Sequence, residues 1–128
     1  MLSKRFEDQA RKTPDKFALI TEDLSCTYGQ LNKRANQIAD EILYVRSKNN
    51  IENRFVALFF EHGGDMIAGM LGVLKAGMSY VPIDPGYPFK RAEYILNNSG
   101  AKILLTNHNS INMVNQFMEK KVLILSIG

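Results

Sequence analysis

The residues of this chain best placed to do chemistry are Glu61-His62-Gly63-Gly64-Asp65. They follow the apolar run Phe55-Val56-Ala57-Leu58-Phe59-Phe60 and open a helical pattern, which is where doubly wound folds bind phosphate. Glycine lets backbone approach an anion, and the free amides of a first helical turn point at it. The fingerprint is absent, however: there is neither G-x-G-x-x-G nor Gly-Lys-Ser/Thr. Asp65 also sets a negative charge at the helix start, where it favours the helix dipole and competes with an anion. The segment therefore reads as a plain strand-to-helix turn.

His62 and His108 have no second histidine or cysteine at ligand spacing, and a metal site needs three or four converging ligands. Both read as turn or surface residues. Cys26 is the sole cysteine, which excludes an intramolecular disulfide and a Cys-only metal site. It reads as core packing. Neither a nucleophile–base pair nor paired carboxylates follow from spacing. Catalytic residues, cofactor-binding residues and metal ligands are each set at none.

The elements that would hold these residues alternate. Leu2, Phe6 and Ala10 share one helical face, and Pro14 closes that helix after Thr13. Phe17 to Thr21 reads as a strand, turned by Glu22-Asp23 toward a short extended Ser25-Cys26. Thr27 looks like an N-cap with Gln30 as its reciprocal capping-box partner. The helix they open carries Leu31, Ala35, Ile38, Ala39 and Ile42 and fades near Ser47. Phe55–Phe60 is continuously apolar, the mark of a strand covered on both faces. A helix from about Met66 to Lys75 is stopped by Gly77. Tyr80-Val81-Pro82-Ile83 is a strand ended by Asp84-Pro85-Gly86. Pro88 suits the first turn of a helix running to about Asn98. Ile103-Leu104-Leu105, a helix over Ile111–Lys120, and Val122–Leu125 complete the pattern. Gly69, Gly72 and Ala76, with Ala68, read as close packing of a helix on the sheet. Met66, Met70, Met113 and Met118 read as core gap-filling, and Lys90-Arg91-Ala92-Glu93 as a solvated helix face. Strand–helix–strand repeats imply a parallel, doubly wound sheet with flanking helices. The class is α/β.

Composition agrees with one globular domain: 128 residues, 45% hydrophobic and 23% charged, with a formal charge of +3. Residues 1–50 hold nine basic and seven acidic side chains, and residues 51–128 hold seven and six. Neither half is a basic arm, so nucleic acid is not expected as a partner. The near-apolar run Met66–Leu74 is too short to span a bilayer, and the start turns acidic where a secretory signal turns apolar. No membrane partner and a cytoplasmic address are expected.

Read as whole strings, the chain resembles a specific family. Leu74-Lys75-Ala76-Gly77-Met78-Ser79-Tyr80-Val81-Pro82-Ile83-Asp84 is similar to the "LKAG-x-A-Y-(V/L)-P-(I/L)-D" motif of amino-acid adenylation domains in nonribosomal peptide synthetases. Pro85, Tyr87-Pro88, Arg91, Tyr94-Ile95-Leu96 and Ser99 continue in the family's order. Upstream, Cys26-Thr27-Tyr28-Gly29-Gln30-Leu31-Asn32 resembles the first core motif, "L-(T/S)-Y-x-E-L-N". Phe6-Glu7 through Pro14, Ala18-Leu19 and Leu104-Leu105-Thr106 also resemble family segments. The departures are Gln30 for an acid, Cys26 for an aliphatic, and Met78 and Ser79 for smaller residues; the last two put local packing in question.

The resemblance implies residues 1–128 of an incomplete N-terminal portion of an AMP-binding (adenylation) domain, part of the N-terminal subdomain of an adenylate-forming enzyme. Such enzymes activate an amino acid with ATP and Mg²⁺ and load a phosphopantetheine carrier thiol. The Ser/Thr/Gly-rich phosphate loop, pocket strands, ribose-binding aspartate and late lysine have no matching positions here, so no catalytic residue carries over. No cofactor is expected in this chain, and it is expected to be inactive alone. The motifs present read as scaffold, with Gly77 ending a helix and Asp84-Pro85 fixing an exit turn. The expected partners are the remainder of a synthetase and a second copy, a two-fold homo-oligomer formed through surfaces that truncation uncovers. The alternatives are a non-catalytic module that self-associates or complements a synthetase in trans, and a small stand-alone nucleotide-binding α/β protein.

Overall fold

A computed structural model of the chain describes residues 2–20, 25–61, 63–117 and 122–127. The buried run at its centre dictates the architecture. β3 (Phe55–Phe59) sends Val56, Leu58 and the following Phe60 to one face of the sheet and Ala57 and Phe59 to the other. All five are buried, so both faces need a covering layer. β3 pairs in parallel with β4 (Ser79–Ile83), and also with β5 (Ile103–Thr106). β5 pairs in parallel with β6 (Leu123–Ser126), which gives the order β4-β3-β5-β6.

That order fixes the layers. The chain moves from β3 through α3 (Gly64–Lys75) to β4, then back across β3 through α4 (Phe89–Ser99) to β5. Right-handed crossovers in opposite directions must place their helices on opposite faces. Accordingly α3 and the long α2 (Tyr28–Lys48) cover Val56, Leu58, Ile103 and Leu105. Ala92 and Leu96 of α4, with Val114 of α5 (Ile111–Phe117), cover Ala57, Phe59 and Leu104. The chain enters through α1 (Leu2–Lys12) and a small antiparallel pair, β1 (Phe17–Ile20) with β2 (Ser25–Thr27). The expected Glu22-Asp23 turn lies outside the described residues.

The local signals mostly act as their chemistry requires. Thr27 Oγ1 accepts from Gln30 N at 3.2 Å, and Thr27 N donates to Gln30 Oε1 at 2.9 Å, a complete capping box. Gly100 closes α4 at φ 72°. Some boundaries shift. α3 begins at Gly64 rather than Met66, Pro88 is the N-cap of α4 rather than a residue of its first turn, and β6 begins at Leu123.

Two packing expectations need correction. Met113 is exposed, not core: on α5 the inward position is taken by its neighbour Val114, which is fully buried. Met66 and Met70 do pack against the core, while Met118 lies outside the described residues. The small-residue side of α3 also serves two neighbours rather than the sheet alone. A Cβ on Gly69 would meet the Phe60 ring at 3.3 Å, on the sheet. A Cβ on Gly72 would lie 2.5 Å from Ile38 Cγ2 and 2.8 Å from Ile38 Cβ, on α2. Ile38 is β-branched and stiff, so it cannot step aside cheaply. Gly72 is what lets α2 and α3 close on each other.

Gly77 has the opposite surroundings. It sits at φ 75°, a left-handed conformation, and a Cβ there would meet nothing within 4 Å. Its requirement is conformational.

Two substitutions separate these causes in denaturant unfolding. Gly72→Ala is expected to destabilise by about 1–3 kcal/mol through overpacking, and by clearly less in an Ile38→Ala background. Gly77→Val is expected to cost about 1–2 kcal/mol whatever its neighbours, because the left-handed backbone alone penalises it.

Candidate functional site

Open parallel sheets bind ligands outside the carboxyl ends of their strands, at the point where strand order reverses. Here that point lies between β3 and β5, because β3 leads to β4 on one side while β5 leads to β6 on the other. The segment Glu61–Asp65 leaves β3 at this crevice, and Thr106-Asn107 leaves β5 beside it. His62 itself is outside the described residues.

The crevice is bridged by the chain's own polar groups. Thr106 Oγ1, fully buried, donates to Phe59 O at 2.8 Å and ties the two strand ends together. Asp65, in the first turn of α3, accepts twice: from Arg34 of α2 at 2.5 Å and from Asn107 Nδ2 at 2.8 Å. Asn107 in turn accepts from Ser110 N at 3.2 Å, holding the turn that opens α5. One carboxylate thus joins α2, α3 and the end of β5. It also places a negative charge where an anion would have to sit.

On the other side of β3, a cavity of about 140 Å³ is lined by Leu58, Phe60, Met66, Pro82, Ile83, Asp84 and Tyr87. Small-molecule sites usually measure roughly 300–1,000 Å³, so this one is too small for a nucleotide. Asp84 does not face it as a free acid: Oδ1 accepts from Gly86 N at 2.8 Å, and Tyr87 N donates to Asp84 O at 3.0 Å. The Arg91 guanidinium stacks over Tyr87 at 4.3 Å from the ring centroid. This is an exit turn fastened by its own residues. The lining of this cavity offers a nucleoside triphosphate neither the volume nor a basic side chain.

The other candidates fall as their types suggest. His108 is exposed on a turn. Cys26 is buried, and burial pushes its thiol above the usual range, with Arg34 pulling weakly the other way. It is a neutral core side chain, not a poised nucleophile. Among the described residues no group of three His, Cys, Asp or Glu converges. Lys75 is the unexpected member of the Leu74–Asp84 string. Its side chain is only 6% exposed, with Nζ 3.3 Å from Glu7 Oε2 and over the Phe6 ring, so it fastens α1 to α3. Met78, whose bulk put packing in question, is simply buried, and Ser79 is exposed.

Sequence reasoning found Asp65 but missed Arg34, Thr106 and Asn107. Arg34 lies 31 residues from Asp65 on another helix, and no local spacing announces that contact. Thr106-Asn107 at the end of an apolar strand was the one available signal.

Strand order, layers and fastened crevice define a doubly wound α/β layer of the kind that carries nucleotide enzymes. The match with known proteins is narrower. The model of the AMP-binding enzyme family covers residues 6–127, and the chain belongs to that family. It is 43% identical over 115 residues to tyrocidine synthase 3 of Brevibacillus parabrevis, a match spanning 90% of this chain and 2% of that protein. It is 42% identical over 111 residues to gramicidin S synthase 2 of Brevibacillus brevis, spanning 87% of this chain and 2% of the relative. The crystal structure of the nonribosomal peptide synthetase FmoA3 with α-methyl-L-serine-AMP bound superposes with a TM-score of 0.86 at 30% identity. It covers 98% of this chain, which corresponds to 14% of that one. The chain is thus a small part of the length of the proteins it matches.

If Asp65 is a fastener, Asp65→Ala leaves Arg34 and Asn107 without their acceptor. The expected loss is about 1–2 kcal/mol, the lower part of the range for a broken charged hydrogen bond because the pair is partly solvent-screened. A lowered urea midpoint with unchanged slope is the readout.

Proposed function

We propose that residues 1–128 form the first, scaffolding part of an amino-acid-activating adenylation domain, and that they carry none of its reacting groups. The whole domain, in this reading, forms aminoacyl-AMP from an amino acid and ATP and passes the acyl group to a carrier-protein thiol. The observation that carries the reading is the fastened crevice of a chain whose family match runs over nearly its full length. The loop at the strand-order reversal, which could have held phosphate, is occupied by Asp65 with Arg34 and Asn107.

The division of labour follows from what phosphoryl and acyl transfer need. Rate comes from positioned positive charge and backbone donors around developing negative charge. This layer offers the reverse at its loop, a carboxylate already satisfied by its neighbours. What it supplies is a rigid sheet on which other segments can be positioned. Its working partner is the remainder of a synthetase, and its relatives are long synthetase chains of which it matches a small part. Among the described residues no helix is long and apolar enough to cross a membrane.

The purified 128-residue chain is expected to show no amino-acid-dependent ATP–pyrophosphate exchange. It is expected to bind ATP no tighter than roughly millimolar, about −4.1 kcal/mol. Micromolar ATP binding in calorimetry would overturn the reading and return the Gly63-Gly64 loop as a site.

A further inference from the structure

α1 is held by two different kinds of contact. Just past its carboxyl end the backbone is pinned to the start of α2. Gly29 N donates to Pro14 O at 2.9 Å, and Tyr28 N donates to Lys16 O at 2.8 Å. A Cβ on Gly29 would lie 3.1 Å from Pro14 O, so this turn sits close against α2. Further along the helix the hold is a single charge. Lys75 Nζ lies 3.3 Å from Glu7 Oε2 and 6.0 Å from the centroid of the Phe6 ring, which itself meets the Tyr28 ring at 6.0 Å. The Lys75 side chain is 6% exposed and that of Glu7 45%. α1 therefore lays a half-hydrated carboxylate over a cation the fold has buried. Lys75 also stands in the last turn of α3, where the helix dipole favours a cation. Apolar burial adds little. Among the described side chains of α1 only Ala10 is buried, and Phe6 is half-buried. Segments with few buried apolar contacts open at lower free energy than a core. β5, by contrast, is buried along its whole length, and so is β3 apart from Phe55.

We propose that α1 is a releasable strap, hinged where Pro14 and Lys16 meet α2 and buttoned by Lys75, and that it swings off α3 while the four-stranded sheet stays folded. The Lys75 amine is shielded when the strap is docked and open to solvent when it is released. The device depends on the buried ammonium more than on the strength of the ion pair. A buried charge stripped of its partner is costly, whereas an apolar side chain of similar volume in its place is often neutral or stabilising. Glu7→Gln leaves the cation in place without its counter-charge and favours release. Lys75→Met removes the cation and keeps the volume, so the strap stays docked. A simple ion-pair staple would instead be weakened by both substitutions. The strap is a property of these contacts and does not depend on the adenylation reading.

Hydrogen exchange on the purified chain, with peptides from α1 and β3 resolved by mass spectrometry, reads the release. Acetylation of Lys75 by an N-hydroxysuccinimide ester reads the shielding. In the wild type, α1 amides are expected to be roughly tenfold or more less protected than those of β3. Lys75 is expected to react more slowly than the exposed Lys33. Glu7→Gln is expected to raise α1 exchange and Lys75 acetylation together, on the order of tenfold, with β3 unchanged. Lys75→Met is expected to leave α1 exchange no faster than in the wild type. Wild-type α1 and β3 amides that exchange at one common protection would overturn the proposal. So would a Glu7→Gln chain in which α1 exchange and Lys75 acetylation do not change, or in which β3 is deprotected along with α1. A Lys75→Met chain whose α1 is freed as much as in Glu7→Gln would overturn it too, leaving an ordinary ion-pair staple.

Discussion

The close approach of α2 and α3 is the contact on which the rest of this structure depends. α2 and α3 share one face of the sheet, and at Gly72 there is no room for a single methyl group beside Ile38. Because that gap is closed, α2 can reach over the sheet with Leu31, Ala35, Ile38 and Ile42 buried along one face. The same reach brings Arg34 to Asp65 at the top of the molecule. One missing side chain thus sets the interhelix distance, the burial of the face and the polar bridge at the crevice. Protein interiors are packed densely enough that such a distance is felt by every neighbour.

The fastened crevice follows from the same geometry. Three elements that diverge at the strand-order reversal are held by one carboxylate, one amide and one hydroxyl, each with a named partner. The parts of the crevice are tied to one another, which suits the proposed role of a layer that supports chemistry performed by other segments. β4 extends the theme: Ser79 N donates toward β3, to Arg54 O, so Pro82, which has no N–H, turns outward and blunts that edge to pairing.

Most of the architecture was legible in the residues. The continuous apolar run at Phe55–Phe60, the Thr27–Gln30 capping box and the left-handed Gly77 are local signals, and each is found where its chemistry requires. What escaped is tertiary. Nothing near Gly72 says that its neighbour is Ile38 rather than the sheet, and nothing near Asp65 names Arg34. Met113 and Val114 are both apolar and adjacent, and only the docking angle of α5 decides which one is buried. The motif Leu74–Asp84 identified the family without disclosing that Lys75 is an anchor for α1.

The central claim is that this layer supports an activating site without forming it or choosing its amino acid. The most direct test is a chimera in which residues 6–127 replace the matching segment of an adenylation domain from tyrocidine synthase 3, assayed by ATP–pyrophosphate exchange over a panel of amino acids. The account predicts exchange with the host domain's own amino-acid preference unchanged. A folded chimera that has lost exchange, or that has changed its preferred amino acid, would contradict it.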